Sequence, residues 1–88
     1  MGGVALSRHY DFRRYSGPCF VALTPGDTFR FIDCDYTHAV SGPGDNSEFV
    51  MFKHDVTYLV ISRLPAPDPN IGRFVFLWPN GLSYETLL

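Results

Sequence analysis

The sequence predicts a single small all-β domain. Its 88 residues are material for one core only. Short runs rich in β-branched and aromatic residues recur between turns built from Pro, Gly and Asn. No stretch of about ten or more residues carries apolar side chains at helical spacing, so no long helix is expected. With 45% hydrophobic and 16% aromatic residues the chain is too apolar to stay disordered.

Residues 1–18 are read as an irregular arm, because Arg8 to Tyr15 mixes charged and aromatic residues without a sustained period. Residues 19–88 are read as the β-domain. Cys19 to Thr24 is an apolar run closed by Pro25-Gly26, which suits a buried strand ended by a turn. Thr28 to Asp33 alternates, with Phe29 and Phe31 on one face and Thr28, Arg30 and Ile32 on the other. Asp35 to Glu48, with the turn cluster Ser41 to Ser47, is expected to be a long exposed loop. Glu48 to Phe52 reads as a short strand, followed by a turn at His54-Asp55.

Val56 to Ser62 carries the strongest β pattern in the chain. Leu64 to Asn70 holds Pro65, Pro67 and Pro69, each with fixed φ and no amide donor, and is expected to be a stiff, unpaired loop. Arg73 to Trp78 and Leu82 to Leu87 flank Pro79-Asn80-Gly81, where Asn-Gly offers the positive-φ positions of a tight hairpin. The sum is a small barrel or meander of five to six short strands with a C-terminal hairpin.

Charge and composition narrow the function classes. Charged residues make up 18%, below the roughly 25% of an average domain, which leaves uncharged surface suited to another protein. The net charge of −2, with cations scattered apart from Arg13-Arg14, argues against a phosphate-binding face. No apolar run approaches a membrane span of roughly 18 residues, and Met1 to Leu6 is too short for a signal peptide. Cys19 and Cys34 can pair only if their strands are neighbours, and they are read as reduced, buried thiols.

The order of the motifs carries a resemblance. Pro25-Gly26-Asp27 leads into Thr28 to Asp33, then a long loop, Val56 to Ser62, a second loop, and a hairpin at Trp78-Pro79-Asn80-Gly81. Over roughly residues 25–88 this resembles an SH3-like small barrel and is similar to short proteins of tailed bacteriophages. The resemblance implies a last strand beginning where this chain stops, at Leu88. Either Cys19 to Thr24 then closes the barrel or one sheet edge stays open, and an open edge is a template for another chain.

Catalytic and metal-binding readings find weaker footing. Cys34 and His38 form one loose pair, with Cys19, His9 and His54 dispersed, whereas structural zinc sites bring two close pairs. A Cys-His-Asp set drawn from Cys34, His38 or His54, and Asp35 or Asp55 is a combination that any short chain of this composition offers. Asp33, Asp35 and Asp45 lack the spacing of a calcium loop.

The expectation is therefore a non-enzymatic structural or interaction protein without a cofactor. It would be a minor component of a phage virion, in the virion or in the host cytoplasm before assembly. Its partners would be other protein subunits, with homo-oligomerisation left open, no membrane, and nucleic acid disfavoured. Candidate contact residues are Arg8, Tyr10, Phe12, Arg13, Arg14 and Tyr15 in the arm, Pro65, Pro67 and Pro69 in the stiff loop, and Trp78 beside the hairpin. The alternative is a nucleic-acid-binding small-barrel regulator, in which the aromatic and basic residues of the arm stack bases and touch phosphates.

Overall fold

Alternation of apolar and polar side chains builds seven short strands, and the computed structural model describes the chain over residues 7–16, 18–42 and 47–87. The expected arm's Met1–Leu6 and the turn cluster's Pro43–Asn46 lie outside the described residues. The strands are β1 (His9–Phe12), β2 (Thr28–Phe31), β3 (Tyr36–Ser41), β4 (Ser47–Phe52), β5 (Tyr58–Arg63), β6 (Phe74–Leu77) and β7 (Ser83–Thr86). They form one mixed sheet in the order β1-β2-β5-β6-β7-β3-β4. Only β1 and β2 run parallel; the other neighbours are antiparallel.

The fold is all-β, as expected, but it departs from the sequence reading in four places. The segment read as an irregular arm contributes β1, which pairs Tyr10 with Phe29 and Phe12 with Phe31. The segment read as a loop contributes β3, whose register with β4 runs from Tyr36↔Phe52 to Ser41↔Ser47. The Cys19–Thr24 run is not a strand: Phe20–Ala22 is a single 3-10 turn. The described strands number seven rather than five or six, and the sheet is open rather than closed into a barrel.

The sheet nevertheless curls until its far end returns to β2. Phe31 and His54 form one isolated bridge, in which the Asp55 N–H donates to the Phe31 carbonyl at 2.7 Å. The concave side is filled by aromatic rings. Of the twelve buried apolar residues nine are aromatic: Phe12, Phe20, Phe29, Phe31, Phe52, Tyr58, Phe74, Phe76 and Tyr84. Their edge-to-face and offset contacts suit the ring quadrupole, as in Phe20–Phe74 at 5.3 Å and Phe31–Tyr36 at 4.9 Å.

The 3-10 turn matters because it swings Phe20 into this core, against Phe12, Phe29, Phe31, Phe52 and Phe74. Arg63 Nη1 donates to the Phe20 carbonyl at 2.9 Å and holds the turn down.

The turns expected at Pro25-Gly26 and at Pro79-Asn80-Gly81 form, each with its own chemistry. At Thr24–Asp27 the Asp27 N–H donates to the Thr24 carbonyl and Gly26 sits at φ +92°, the third-position geometry of a type II turn. At the C-terminal hairpin the Gly81 N–H donates to the Trp78 carbonyl and the Trp78 N–H to the Leu82 carbonyl. Only Gly81 takes positive φ, +85°, while Asn80 does not. This is a three-residue loop, a type I turn over Pro79-Asn80 followed by a left-handed glycine, rather than the two-residue turn that Asn-Gly suggests. Asn80 serves through its side chain, whose Oδ1 accepts the Leu82 N–H at 2.8 Å.

Candidate interaction surface

An open sheet has two edges, and here they differ in chemistry. The β1 edge is polar and tied down at both ends. The Arg8 N–H donates to Asp27 Oδ1 at 3.0 Å, and the Arg14 N–H reaches both carboxylate oxygens of Asp33 at 3.1 Å. Along the exposed side, Asp11 Oδ1 accepts from Arg30 Nε and contacts His9 Nε2, both at 2.8 Å. The hydrogen bond from Arg30 and then that from His9 hold the Asp11 carboxyl below its ordinary pKa. Charges of this kind on an edge strand disfavour pairing with another chain.

The β4 edge is the reverse. Its sequence Ser-Glu-Phe-Val-Met-Phe carries one charge. Val50 and Phe52 turn inward and pack with the core, whereas Phe49 and Met51 are 78% and 43% exposed. Seven of the eight phenylalanines are core residues, and Phe49 is the one that is not.

Among the described residues the backbone of β4 is also unpaired on its outer side. The Leu87 N–H donates to the Ala39 carbonyl, so the odd residues of β3 aim their backbone groups at β7 and the even ones at β4. Ala39 pairs with Phe49 and Thr37 with Met51. Those are therefore the non-hydrogen-bonded pairs, and the N–H and C=O groups of Ser47, Phe49 and Met51 point away from the sheet. Among the described residues, the bridge at Phe31–His54 covers only the far end of the strand.

One hydrogen-bonded cluster and one buried imidazole lie in this region. Asp35 accepts the His54 N–H at 2.8 Å and contacts His54 Nδ1 at 2.7 Å, with Lys53 Nζ at 3.5 Å. The His54 backbone N–H, followed by its side chain, lowers the Asp35 pKa to about 2, and Asp35 in turn raises that of His54. Beneath β3 and β4, His38 lies among Phe20, Tyr36 and Phe52, and its buried Nε2 has no hydrogen-bond partner. Burial holds the His38 pKa below its ordinary value.

The residues singled out from sequence are not gathered on one surface. Phe12 is 6% exposed and belongs to the core, and Tyr10 is half-buried and stacked on it at 5.9 Å. Arg8, Arg13, Arg14 and Tyr15 are exposed, with the Arg14 guanidinium 5.8 Å from the Tyr15 ring centre. Pro65, Pro67 and Pro69 are exposed in the loop that joins β5 to β6. Trp78 stands at the opposite end of β6, half-buried against Tyr58 and Tyr84.

Sequence reasoning missed Phe49 and Met51. The signal was present in Phe49-Val50-Met51-Phe52, a run apolar on both faces, since an antiparallel strand normally turns polar residues outward.

The readings of chemistry take a definite shape. Cys19 and Cys34 are both free, with Cys19 exposed and Cys34 half-buried, so neither is the buried thiol expected. No group of three or more His, Cys, Asp or Glu that could hold a metal occurs among the described residues. Asp35 and His54 do meet, at the orienting distance of a carboxylate–imidazole pair, as an exposed brace between two turns. Compared with known proteins, the chain matches no family model, no curated protein and no solved structure.

Proposed function

We propose that the chain is a non-enzymatic interaction module that joins a larger protein assembly by adding its β4 edge to another strand. The observation that carries this reading is Phe49, 78% exposed on a terminal strand whose outer backbone groups have no partner among the described residues. An edge of that kind gives affinity through main-chain hydrogen bonds and specificity through alternate side chains. Proteins that do not use such an edge blunt it with lysine, proline or a bulge. The described β4 has none of these and its one charge, Glu48, lies near its start, whereas on β1 Asp11 sits mid-strand in a cluster with His9 and Arg30.

The assembly we propose is the virion of a tailed phage, with the chain as a minor SH3-like component. The support is the motif order from Pro25-Gly26-Asp27 to Trp78-Pro79-Asn80-Gly81 and the resemblance it carries.

Co-purification from cells that make the native assembly tests the reading. The tagged parent chain should retain protein subunits in fixed ratio, and the Phe49→Lys variant should lose them. Identical retention by both chains would refute docking at β4. Retention of nucleic acid that weakens steeply with salt would favour the regulator instead.

A further inference from the structure

We infer that the strand seated on the β4 edge is β4 of a second copy of this chain, antiparallel and centred on Val50, making a two-fold dimer. The inference rests on the docking role proposed above for this edge and names its occupant.

The register follows from which groups face outward. A two-fold axis pairs residue i with residue j so that their sum is constant, and side chains must stay on matching faces, so that sum is even. Centring on Glu48 would set two like charges against each other, which destabilises a pair. Centring on Val50 sets Phe49 opposite Met51 of the second copy, twice, so the two exposed apolar residues of each β4 cover those of the other. Phe49 and Met51 are also the residues whose N–H and C=O groups point outward, so these same pairs are the hydrogen-bonded ones.

Charge fits this arrangement too. Glu48 is the one charged side chain within Ser47–Phe52, and Lys53 and His54 follow at the strand's other end. Antiparallel pairing centred on Val50 sets Glu48 opposite Phe52 and Lys53 opposite Ser47, so no like charges lie directly opposite each other. Lys53 and His54 already contact Asp35 and are followed by Asp55, so that end is balanced in charge and the apolar match selects the second copy. The β1 edge offers no such self-match, because Arg8, His9, Asp11 and Arg13 interrupt it with mixed charge. The strip is short, so the contact falls at the small end of specific interfaces, and dissociation in the micromolar range is expected.

Sedimentation equilibrium of the full chain over roughly micromolar to millimolar concentration provides the measurement. The expected mass rises from 9.9 kDa toward twice that value. Phe49→Lys, at an exposed position, should keep the parent's circular dichroism, and its melting temperature at concentrations where the parent is monomeric, while weakening association at least tenfold. In a background carrying Cys19→Ser and Cys34→Ser, Val50→Cys should form a disulfide-linked dimer under mild oxidation. Non-hydrogen-bonded cross-strand pairs hold Cα atoms at about 4.5 Å, within disulfide reach.

A chain that remains monomeric throughout would overturn the inference. So would a dimer that survives Phe49→Lys, or one that fails to cross-link through Val50→Cys. Loss of other subunits on Phe49→Lys in the co-purification, from a chain that is monomeric alone, would leave the docking role standing and remove only the second copy as occupant.

Discussion

Replacing Asp27 with Asn or Ala should cost more stability than any other polar substitution in the described chain, because this carboxylate closes two structures at once. Asp27 is 1% exposed. Its Oδ1 accepts the Arg8 N–H at 3.0 Å, which anchors the start of β1, and its Oδ2 accepts both the Thr24 N–H and Thr24 Oγ1 at 2.9 Å, which lock the turn before β2. Asn keeps one acceptor and turns a donor toward either Arg8 or Thr24. Hydrogen bonds to a charged group contribute about 1.5–3 kcal/mol, and an orphaned buried donor costs about 1–3, so Asn should lose about 3 kcal/mol and Ala about 4. A chain of 88 residues has about 4–13 kcal/mol in total, so the Ala variant approaches the unfolding threshold. Urea denaturation measures this: with a slope of about 1–1.5 kcal/mol per molar, the Asn midpoint should fall by about 2 M at unchanged slope. Burial pushes the Asp27 carboxyl up, but the hydrogen bonds from Arg8 and Thr24 outweigh it and leave the pKa below ordinary. Asp27 thus contributes stability above the unfolded pKa of about 4, and loses it as pH falls through the lower folded value. The difference between parent and Asn variant should therefore shrink in acid. An Asn variant within about 0.5 kcal/mol of the parent at neutral pH would refute the reasoning.

Two glycines separate clash from strain. A Cβ on Gly72 would lie 2.5 Å from the Phe20 carbonyl carbon and 2.6 Å from the Val21 nitrogen, so Gly72→Ala should expel the Phe20 turn and cost about 3 kcal/mol or more in thermal unfolding. Gly81 has φ +85° and open space around it, so Gly81→Ala should cost only the left-handed penalty of about 1 kcal/mol and leave the core's near-ultraviolet signal intact. His38→Phe should raise stability most in acid. The folded state holds this imidazole neutral, so parent stability drops as pH falls below the unfolded value of about 6.5, and denaturation at pH 5 and pH 7.5 reads the difference. His54→Ala should do the reverse. The raised His54 pKa adds stability below about 6.5 that fades as pH rises through the folded value, while Asp35 contributes above about 4 and loses it as pH falls through about 2. The parent should therefore exceed the His54→Ala variant most between about pH 4 and 6.5.

The elements legible in the sequence are those whose pattern is local. Phe29 and Phe31 alternate cleanly with Thr28 and Arg30, and the structure buries the first two in the core. Proline at 65, 67 and 69 does exclude pairing, and Trp78-Pro79-Asn80-Gly81 does turn back on itself. The missed elements depend on distant partners. β1 has only four residues, and Tyr10 and Phe12 acquire their inward face only by pairing with β2, nineteen positions away in the register Tyr10↔Phe29. In β3 the inward positions are Tyr36, His38 and Val40, and a histidine in the middle reads as polar until the rings of Phe20 and Phe52 surround it. The Cys19–Thr24 run failed for the opposite reason: its apolar content reflects Phe20 and Leu23 entering the core from a single turn, while Val21 stays 46% exposed. The candidate edge was legible as composition but not as position, since β4 becomes terminal only once β3 inserts between it and β7.

That insertion explains why Phe49 and Met51 stand on a terminal strand. A sheet of this order cannot satisfy β4 on both sides, because β3 takes one side and curvature returns only His54 to β2. Elsewhere Leu59, opposite Leu77, and Ile61 at the bulge of β5 are also exposed, but β5 and β6 lie inside the sheet between β2 and β7, so their surface offers contact without an open edge. Among the described residues, exposed aromatic surface and an unpaired strand backbone coincide at β4. Polarity at Phe49 should therefore change association without changing the fold, whereas the same substitution at any of the seven core phenylalanines should unfold the chain by about 3–5 kcal/mol or more. Comparing Phe49→Lys with Phe76→Lys by circular dichroism and sedimentation separates the two: equal loss of structure in both variants would show that Phe49 is a structural residue and that the edge is not a docking surface.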